Sequence, residues 1–362
     1  MLNKRYKYKP DYAVPPGDTL LETLEYHNIS QAEFAKRTGR PLKTINGIIK
    51  GYVAITPESA LQFEKVLGVP ASFWINLESN YQELIARQRE RDELAQQINW
   101  LKEIPVKELK KNSWINETED KIACVQEVLS FFGVASVDVW RKSCLEPQVS
   151  YRKSTAFETD PASAAAWLRK GEIDALKIEC KEYNEARFTI ALKEIRSLTT
   201  SPPDEFQSKM VHLCAYSGVA LTFVKELPKC PVCGATRWLS PKKALIEMTL
   251  RYKSNDHFWF TFFHEAGHIL KHGKRDIFID TDKLDDDNIK EAEANKFARD
   301  LLIDPISYKK FTQFNPIYSE VKVRTFAEQI GIAPGIVVGR LQHDGKLPYH
   351  YLNKLKEKYV WA

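Results

Sequence analysis

The sequence predicts a mainly α protein with a small α+β part. Three observations carry this. The first eighty residues break into short helical segments with proline or capping signals at their starts, strand-like apolar runs are confined to about residues 219–250, and two helical motifs rich in His, Glu and Ala follow. The 362 residues suffice for two to three domains. They divide into a five-helix module at 1–80, a helical connector at 81–202, a compact α+β core at 203–305 and a C-terminal helical segment at 306–362.

Hydrophobic residues make up 43% and charged residues 28%, ordinary values for a globular domain. No apolar run reaches the ~18 residues of a membrane span. The basic start, Met1 to Lys7, has no apolar stretch behind it, so no secretory signal is expected. Six cysteines make no disulfide scaffold in a chain this long. The expectation is a cytoplasmic protein with no membrane partner. The net charge of +5 is too small to demand nucleic acid, so the distribution of charge must decide.

Pro15-Pro16-Gly17-Asp18 opens the first helix. Ser30-Gln31-Ala32-Glu33 is a capping box starting a second helix that runs to about Thr38. Gly39-Arg40-Pro41 is a tight turn, and Leu42 to Lys50 forms a third helix that stops at Gly51. Ile45, Ile48 and Ile49 bury one side of it, while Lys43, Thr44, Asn46 and Lys50 lie around the other. Helices four and five start at Thr56-Pro57 and Pro70. Two short helices joined by a glycine turn, the second basic and polar outside, read as a helix-turn-helix (HTH). Arg40, Lys43, Thr44, Asn46 and Lys50 are the candidate contacts to phosphates and base edges of a double-stranded operator. Lys4, Arg5, Lys7 and Lys9 form a basic arm ahead of them. The plainer reading is a helical protein-binding module with solvated charges.

The segment resembles the HigA/VapI branch of Cro/C1-type HTH proteins. The match runs through Pro16-Gly17, Ile29 to Glu33, Thr44-Ile45-Asn46, Ile55-Thr56, Ala60-Leu61 and Phe73 to Leu77. That branch contains antitoxins and autoregulators, so the resemblance implies toxin–antitoxin-like regulation and binding to palindromic DNA as a homodimer.

Between 81 and 202, Glu83–Gln97 is a charged helix, Pro105 starts another, Gly133 ends one and Asp160-Pro161 starts one. No catalytic constellation stands out there. Ser201-Pro202-Pro203-Asp204 marks a boundary. A helix through Phe206, Met210 and Cys214 follows, then strand candidates Val219–Val224, Ala235–Leu239 and Ala244–Leu250. The last alternates, and we expect it to be an edge strand to which a substrate peptide adds. Cys230 and Cys233 form a lone C-x-x-C. Cys214 and His212 would have to join it to hold a metal, and two reduced thiols are the simpler reading.

His264-Glu265-Ala266-Gly267-His268 is an H-E-x-x-H run behind an apolar stretch, Phe258 to Phe263, with Asp256 as the expected N-cap. Two histidines four apart leave a helix on one face, where both can grip one metal ion, and Glu265 between them suits a general base. The alternative is a buried helix whose histidines only hydrogen-bond. A third ligand is needed. His272 lies a further turn away, ~12 Å of helix rise from His264, too far to share one ion easily. A carboxylate from a second helix is better. Glu291 is one candidate, with Asn295 one turn on as its polar support, and Glu293 is the other. No oxyanion donor is assigned; Tyr252, His257 and His272 are candidates.

The H-E-x-x-H run followed by Glu291 to Asn295, Phe297, Ala298, Leu301 and Leu302 resembles the ImmA/IrrE family of metallo-endopeptidases. The resemblance implies a compact zincin core with Zn2+ held by His264, His268 and Glu291, Glu265 as catalytic base, and transcriptional repressors as substrates. Mn2+ suits the same ligands. The rival is an antitoxin-like transcriptional regulator whose zincin region is a metal sensor or scaffold. At the C-terminus, Phe326 to Gly339 aligns with Phe34 to Gly47, so a second, HTH-like helix pair is expected. Ile336, Val337 and Val338 replace Thr44, Ile45 and Asn46, which suits packing on protein rather than DNA.

Overall fold

The computed structural model describes residues 14–145, 160–251, 253–273, 278–281, 289–313 and 317–360. Two units make up the chain, one ending at Ile98 and one beginning at Asn99.

In the first unit the helices are α1 (Pro16–Tyr26), α2 (Gln31–Thr38), α3 (Leu42–Ile49), α4 (Pro57–Leu67) and α5 (Ala71–Gln96). The Ser30 hydroxyl accepts from the Glu33 N–H at 3.1 Å, the first half of the expected capping box. Gly39 takes φ 68°, a left-handed conformation that glycine adopts without steric cost, and turns α2 into α3. Leu20, Phe34, Ile45, Phe63 and Trp74 are fully buried and join the helices, with the Phe34 and Phe63 rings 5.0 Å apart. The charged segment expected as a separate helix is instead the continuation of α5. Nothing between Phe73 and Gln96 breaks the helix, and pairs such as Glu83–Arg87, 2.7 Å apart, support its exposed length.

The second unit starts with helical pieces, among them α6 (Val106–Lys111), α7 (Lys121–Phe132) and α8 (Val137–Trp140). The apolar stretch Lys121–Leu145 is long enough to cross a bilayer by composition. It is broken at Gly133 (φ 68°), however, and Val125, Val128, Phe132 and Trp140 are buried within the unit. Next come α9 (Pro161–Lys177), α10 (Glu185–Ser197) and α11 (Pro203–Tyr216). A four-stranded sheet follows, built from β1 (Val219–Phe223), β2 (Val232–Ser240), β3 (Lys243–Met248) and β4 (Phe278–Thr281), in the order β1-β3-β2-β4. β1 is parallel to β3, while β2 is antiparallel to both β3 and β4. Between β3 and β4 in sequence lies α12 (Asn255–Lys271); after β4 come α13 (Ile289–Leu302), α14 (Pro305–Gln313), α15 (Glu320–Ile330) and α16 (Pro334–His343).

Alternation along the strands sorts side chains between two covers. Val219, Leu221, Ile246 and Met248 join a core with Phe258, Trp259, Phe262 and Phe263 of α12. On the other face, Ala220 and Leu245 cluster with Ala175 of α9. Two expectations fail here. The Ala244–Leu250 segment is no edge strand, because β3 is paired on both sides and offers no main-chain groups to a peptide. Its alternation reflects two protein covers rather than one wet face, and even Glu247 is only 1% exposed. Asp256 is not the N-cap of α12 either. The helix begins at Asn255, and Asp256 is buried in its first turn, 2.6 Å from Lys356 Nζ. The Asn255 N–H donates instead to the Glu357 carbonyl at 2.9 Å, so a segment remote in sequence caps the helix.

The C-terminal pair reproduces the local geometry of α2 and α3. Gly331 has φ 66°, and the Ile332 N–H donates to Ala327 O at 3.0 Å, as the Arg40 N–H does to Ala35 O. Ile336, Val337, Val338 and Leu341 of α16 are buried in the same core as the aromatic residues of α12.

Candidate metal centre and nucleic-acid interface

α12 is almost wholly buried, and its last turns carry His264, Glu265 and His268. One helical turn separates the two imidazoles, whose Nε2 atoms are 2.9 Å apart. Glu291, in the first turn of α13, places Oε2 3.1 Å from His264 Nε2 and 3.4 Å from His268 Nε2. The helices meet closely at Gly267, where a Cβ would lie 3.1 Å from Phe297 and 3.2 Å from the Ala294 backbone. Tetrahedral ligands at ~2 Å bond lengths stand about 3.3 Å from one another. The three donor atoms, all within 4.8 Å of one another, therefore fit a single cation with modest adjustment. Among the described residues this is the one cluster of three such donors.

The surrounding polar groups orient both imidazoles. An amide oxygen only accepts, and Asn295 Oδ1 lies 2.9 Å from His264 Nδ1. His264 thus carries its proton on Nδ1 and presents a bare Nε2 toward Glu291 and His268. His268 is held through a relay. His272 Nε2 donates to Glu293 Oε2 at 3.1 Å, and His272 Nδ1, left to accept, lies 3.0 Å from His268 Nδ1. His272 and Glu293, both weighed as ligands or helpers, stand behind the donor cluster rather than in it. Burial, then the neighbouring His264, lowers the His268 pKa to about 4 against the opposing hydrogen bond to Glu291. Burial would raise Glu291, but the two imidazoles facing its carboxylate, which interact with it favourably as soon as either Nε2 gains a proton, outweigh that and hold the carboxyl at about 2. Both groups are therefore in the ligating protonation state at neutral pH.

Glu265 is fully buried, with Oε2 2.6 Å from the Thr236 hydroxyl of β2. No motif marks Thr236 in the sequence; only the crossing of β2 over α12 reveals it. Of the oxyanion candidates, Tyr252 lies outside the described residues, His272 is engaged with Glu293, and His257 sits in the first turn of α12 beside Cys233, Thr249 and Thr261. Cys230 and Cys233 are both buried, and burial pushes the Cys230 thiol up to about 12.

In the first unit, Lys43 is exposed and Thr44 and Asn46 half-buried on α3, and Lys50, just past its end, is exposed. Lys43, Asn46 and Lys50 recur at helical spacing along one face. Arg40 is turned to Gln62, to whose Oε1 its Nε donates. The Asn46 Oδ1 is buried and meets no hydrogen-bond donor among the described residues. The basic arm from Lys4 to Lys9 lies outside the described residues.

Helix-turn-helix geometry in one unit and, in the other, a helix pair that gathers three candidate metal donors define a two-module protein class. Residues 22–74 match the helix-turn-helix family model, and residues 250–342 match that of the IrrE N-terminal-like domain of peptidase family M78. An uncharacterised HTH-type transcriptional regulator of Escherichia coli K12, YddM, is 34% identical over 64 residues, which cover 18% of this chain and 68% of that protein. The chain belongs to the HTH-type regulators through this segment, and its residues 250–342 are similar to the IrrE-like domain of peptidase family M78. Two solved structures are also similar. One is an addiction module antidote protein of the HigA family from Coxiella burnetii, 27% identical, with TM-score 0.22. The other, described as an antidote protein of a plasmid maintenance system from Nostoc punctiforme, is 30% identical, with TM-score 0.23. Each match covers 23% of this chain and 92% of the other.

Proposed function

We propose that this protein is a zinc-dependent endopeptidase joined to an operator-reading HTH module, and that it cleaves an HTH-type transcriptional repressor to relieve repression. The observation that carries the proposal is the convergence of His264, His268 and Glu291 within 4.8 Å, with Glu265 on the same helix. A divalent cation on those donors supplies Lewis acidity, which acidifies water and polarises a peptide carbonyl. The protein's own groups do the rest. Asn295 and the His272–Glu293 relay fix the imidazole tautomers. Glu265 takes the proton of the attacking water as its oxygen bonds to the carbonyl carbon. When the C–N bond breaks, Glu265 returns that proton to the leaving amine. On the DNA side, Lys43 and Lys50 supply phosphate contacts and Thr44 hydrogen-bonding capacity.

The test is gel-resolved cleavage of an HTH repressor encoded beside this gene, with zinc and with chelator. The wild-type chain cuts at one or a few sites only when metal is present. Glu265→Gln keeps its zinc and loses cleavage, and His264→Ala loses both. Zinc binding with no cleavage of any neighbouring repressor, alongside specific DNA binding, would leave the regulator reading in its place.

A further inference from the structure

The base role given to Glu265 requires its carboxylate to be held in one place. β2 passes directly over this residue. Thr236 Oγ1 lies 2.6 Å from Glu265 Oε2 and 3.1 Å from the Glu265 main-chain oxygen. The hydroxyl has one proton to give. The shorter contact is to the carboxylate, at the length of a charge-assisted O–H···O bond. Both residues are shut from solvent, Thr236 at 2% and Glu265 at 0% exposure. Two residues earlier on the same strand face, Gly234 meets the same carboxylate. A Cβ there would fall 2.6 Å from Oε1 and 2.8 Å from Thr261 Cγ2. One strand thus brings a donor to one oxygen and clearance to the other. That strand is itself pinned, since Thr236 is in register with Ile246 of β3 and Phe278 of β4.

We propose that Thr236 is a positioning residue for Glu265, and that the missing side chain at Gly234 provides the space in which the carboxylate is aimed. The inference rests on Glu265 acting as the base. Thr236 gives up no proton and forms no bond to substrate. It removes the rotamer freedom of Glu265 within the fold, before any substrate arrives. Neither residue belongs to the H-E-x-x-H run or to the ligand helix.

The full chain, loaded with zinc, is assayed on the repressor found to be cut. Thr236→Val keeps zinc content and KM and lowers kcat by about tenfold or more. Thr236→Ser restores kcat, because it restores the donor. Gly234→Ala also keeps zinc while lowering kcat, since the new methyl displaces the carboxylate. A second readout needs neither substrate nor metal: in the zinc-free chain, Thr236→Val lowers the thermal midpoint more in the wild type than in a Glu265→Ala background. Equal drops in both backgrounds would mean that the hydroxyl serves only the main chain, and the proposal fails. It fails equally if Thr236→Val leaves kcat unchanged while Glu265→Gln abolishes cleavage. Cleavage that survives Glu265→Gln removes the base role instead, and the thermal comparison still decides whether Thr236 grips Glu265.

Discussion

Two imidazole nitrogens 2.9 Å apart, in a site shielded from water, cannot both carry a proton at low cost. The candidate metal site should therefore respond to acid in a defined window. His268 titrates near 6.5 in the unfolded chain but at about 4 in the fold, where the neutral form is preferred. Below pH 6.5 the unfolded chain binds a proton that the fold refuses, so stability falls with pH until about 4. Glu291, lowered from 4.5 to about 2, adds a further loss as pH falls through that range. Thermal melts of the metal-free chain from pH 7.5 to 4 should show a steadily falling midpoint, and a flat profile would contradict the burial of this pair. The relay behind His268 makes a second residue-scale prediction. Removing His272 by alanine should weaken zinc binding by ~10–100-fold, as loss of an orienting partner does. Competition with a chromophoric chelator measures it, and an unchanged affinity would mean that His268 is oriented without the relay.

At the scale of elements, the site depends on how closely α12 and α13 approach. Gly267→Val puts methyl groups against Phe297 and the Ala294 backbone. Forced overpacking of this kind costs about 1–3 kcal/mol. It should also spread Glu291 from the imidazoles, so denaturation midpoint and zinc affinity fall together. β3 offers the opposite case. Glu247, sealed between the sheet and Gly171 of α9, has no side-chain hydrogen-bond partner among the described residues, and burial holds its pKa well above the usual carboxylate range against the opposing pull of Arg237 and the Gly171 backbone. Above pH 4.5 the unfolded chain gains by ionising while the folded carboxyl stays protonated, so this residue subtracts stability at neutral pH. Glu247→Met, similar in length and apolar, should raise the urea midpoint by the equivalent of ~1–3 kcal/mol at pH 7. A lower midpoint would show that the acid has a structural purpose.

At the scale of the whole molecule, the proposed function gives the two units different tasks, and their affinities are measured separately. Operator binding by the α2–α3 module should weaken steeply with salt, because phosphate contacts release counterions. Lys43→Ala and Lys50→Ala should each reduce the slope of log affinity against log salt by about 0.9, as read by fluorescence anisotropy. A slope near zero would turn that module into a protein-binding one. Zinc removal should leave this slope unchanged, since among the described residues no cluster of three metal donors lies in the first unit.

Much of the architecture was open to inspection in the linear order of residues, because its signals are local. The Ser30 N-cap, the left-handed glycines 39 and 331, the paired histidines and the Glu291–Asn295 step depend on spacings of a few residues along one helix. So does the apolar face of α16, which matched packing on protein. What needed the folded chain was every relation between distant segments. The alternation in Ala244–Leu250 could not distinguish a wet face from a second protein cover, so the place of β3 at the sheet interior emerged only from strand order. Lys356 and Glu357 take over the end of α12 from a hundred residues away, a task assigned by sequence to Asp256. Thr236 reaches Glu265 across 29 positions. Helical periodicity tells which side chains share a face; which atoms meet across faces is settled by packing, where neighbours in space need not be neighbours in the chain.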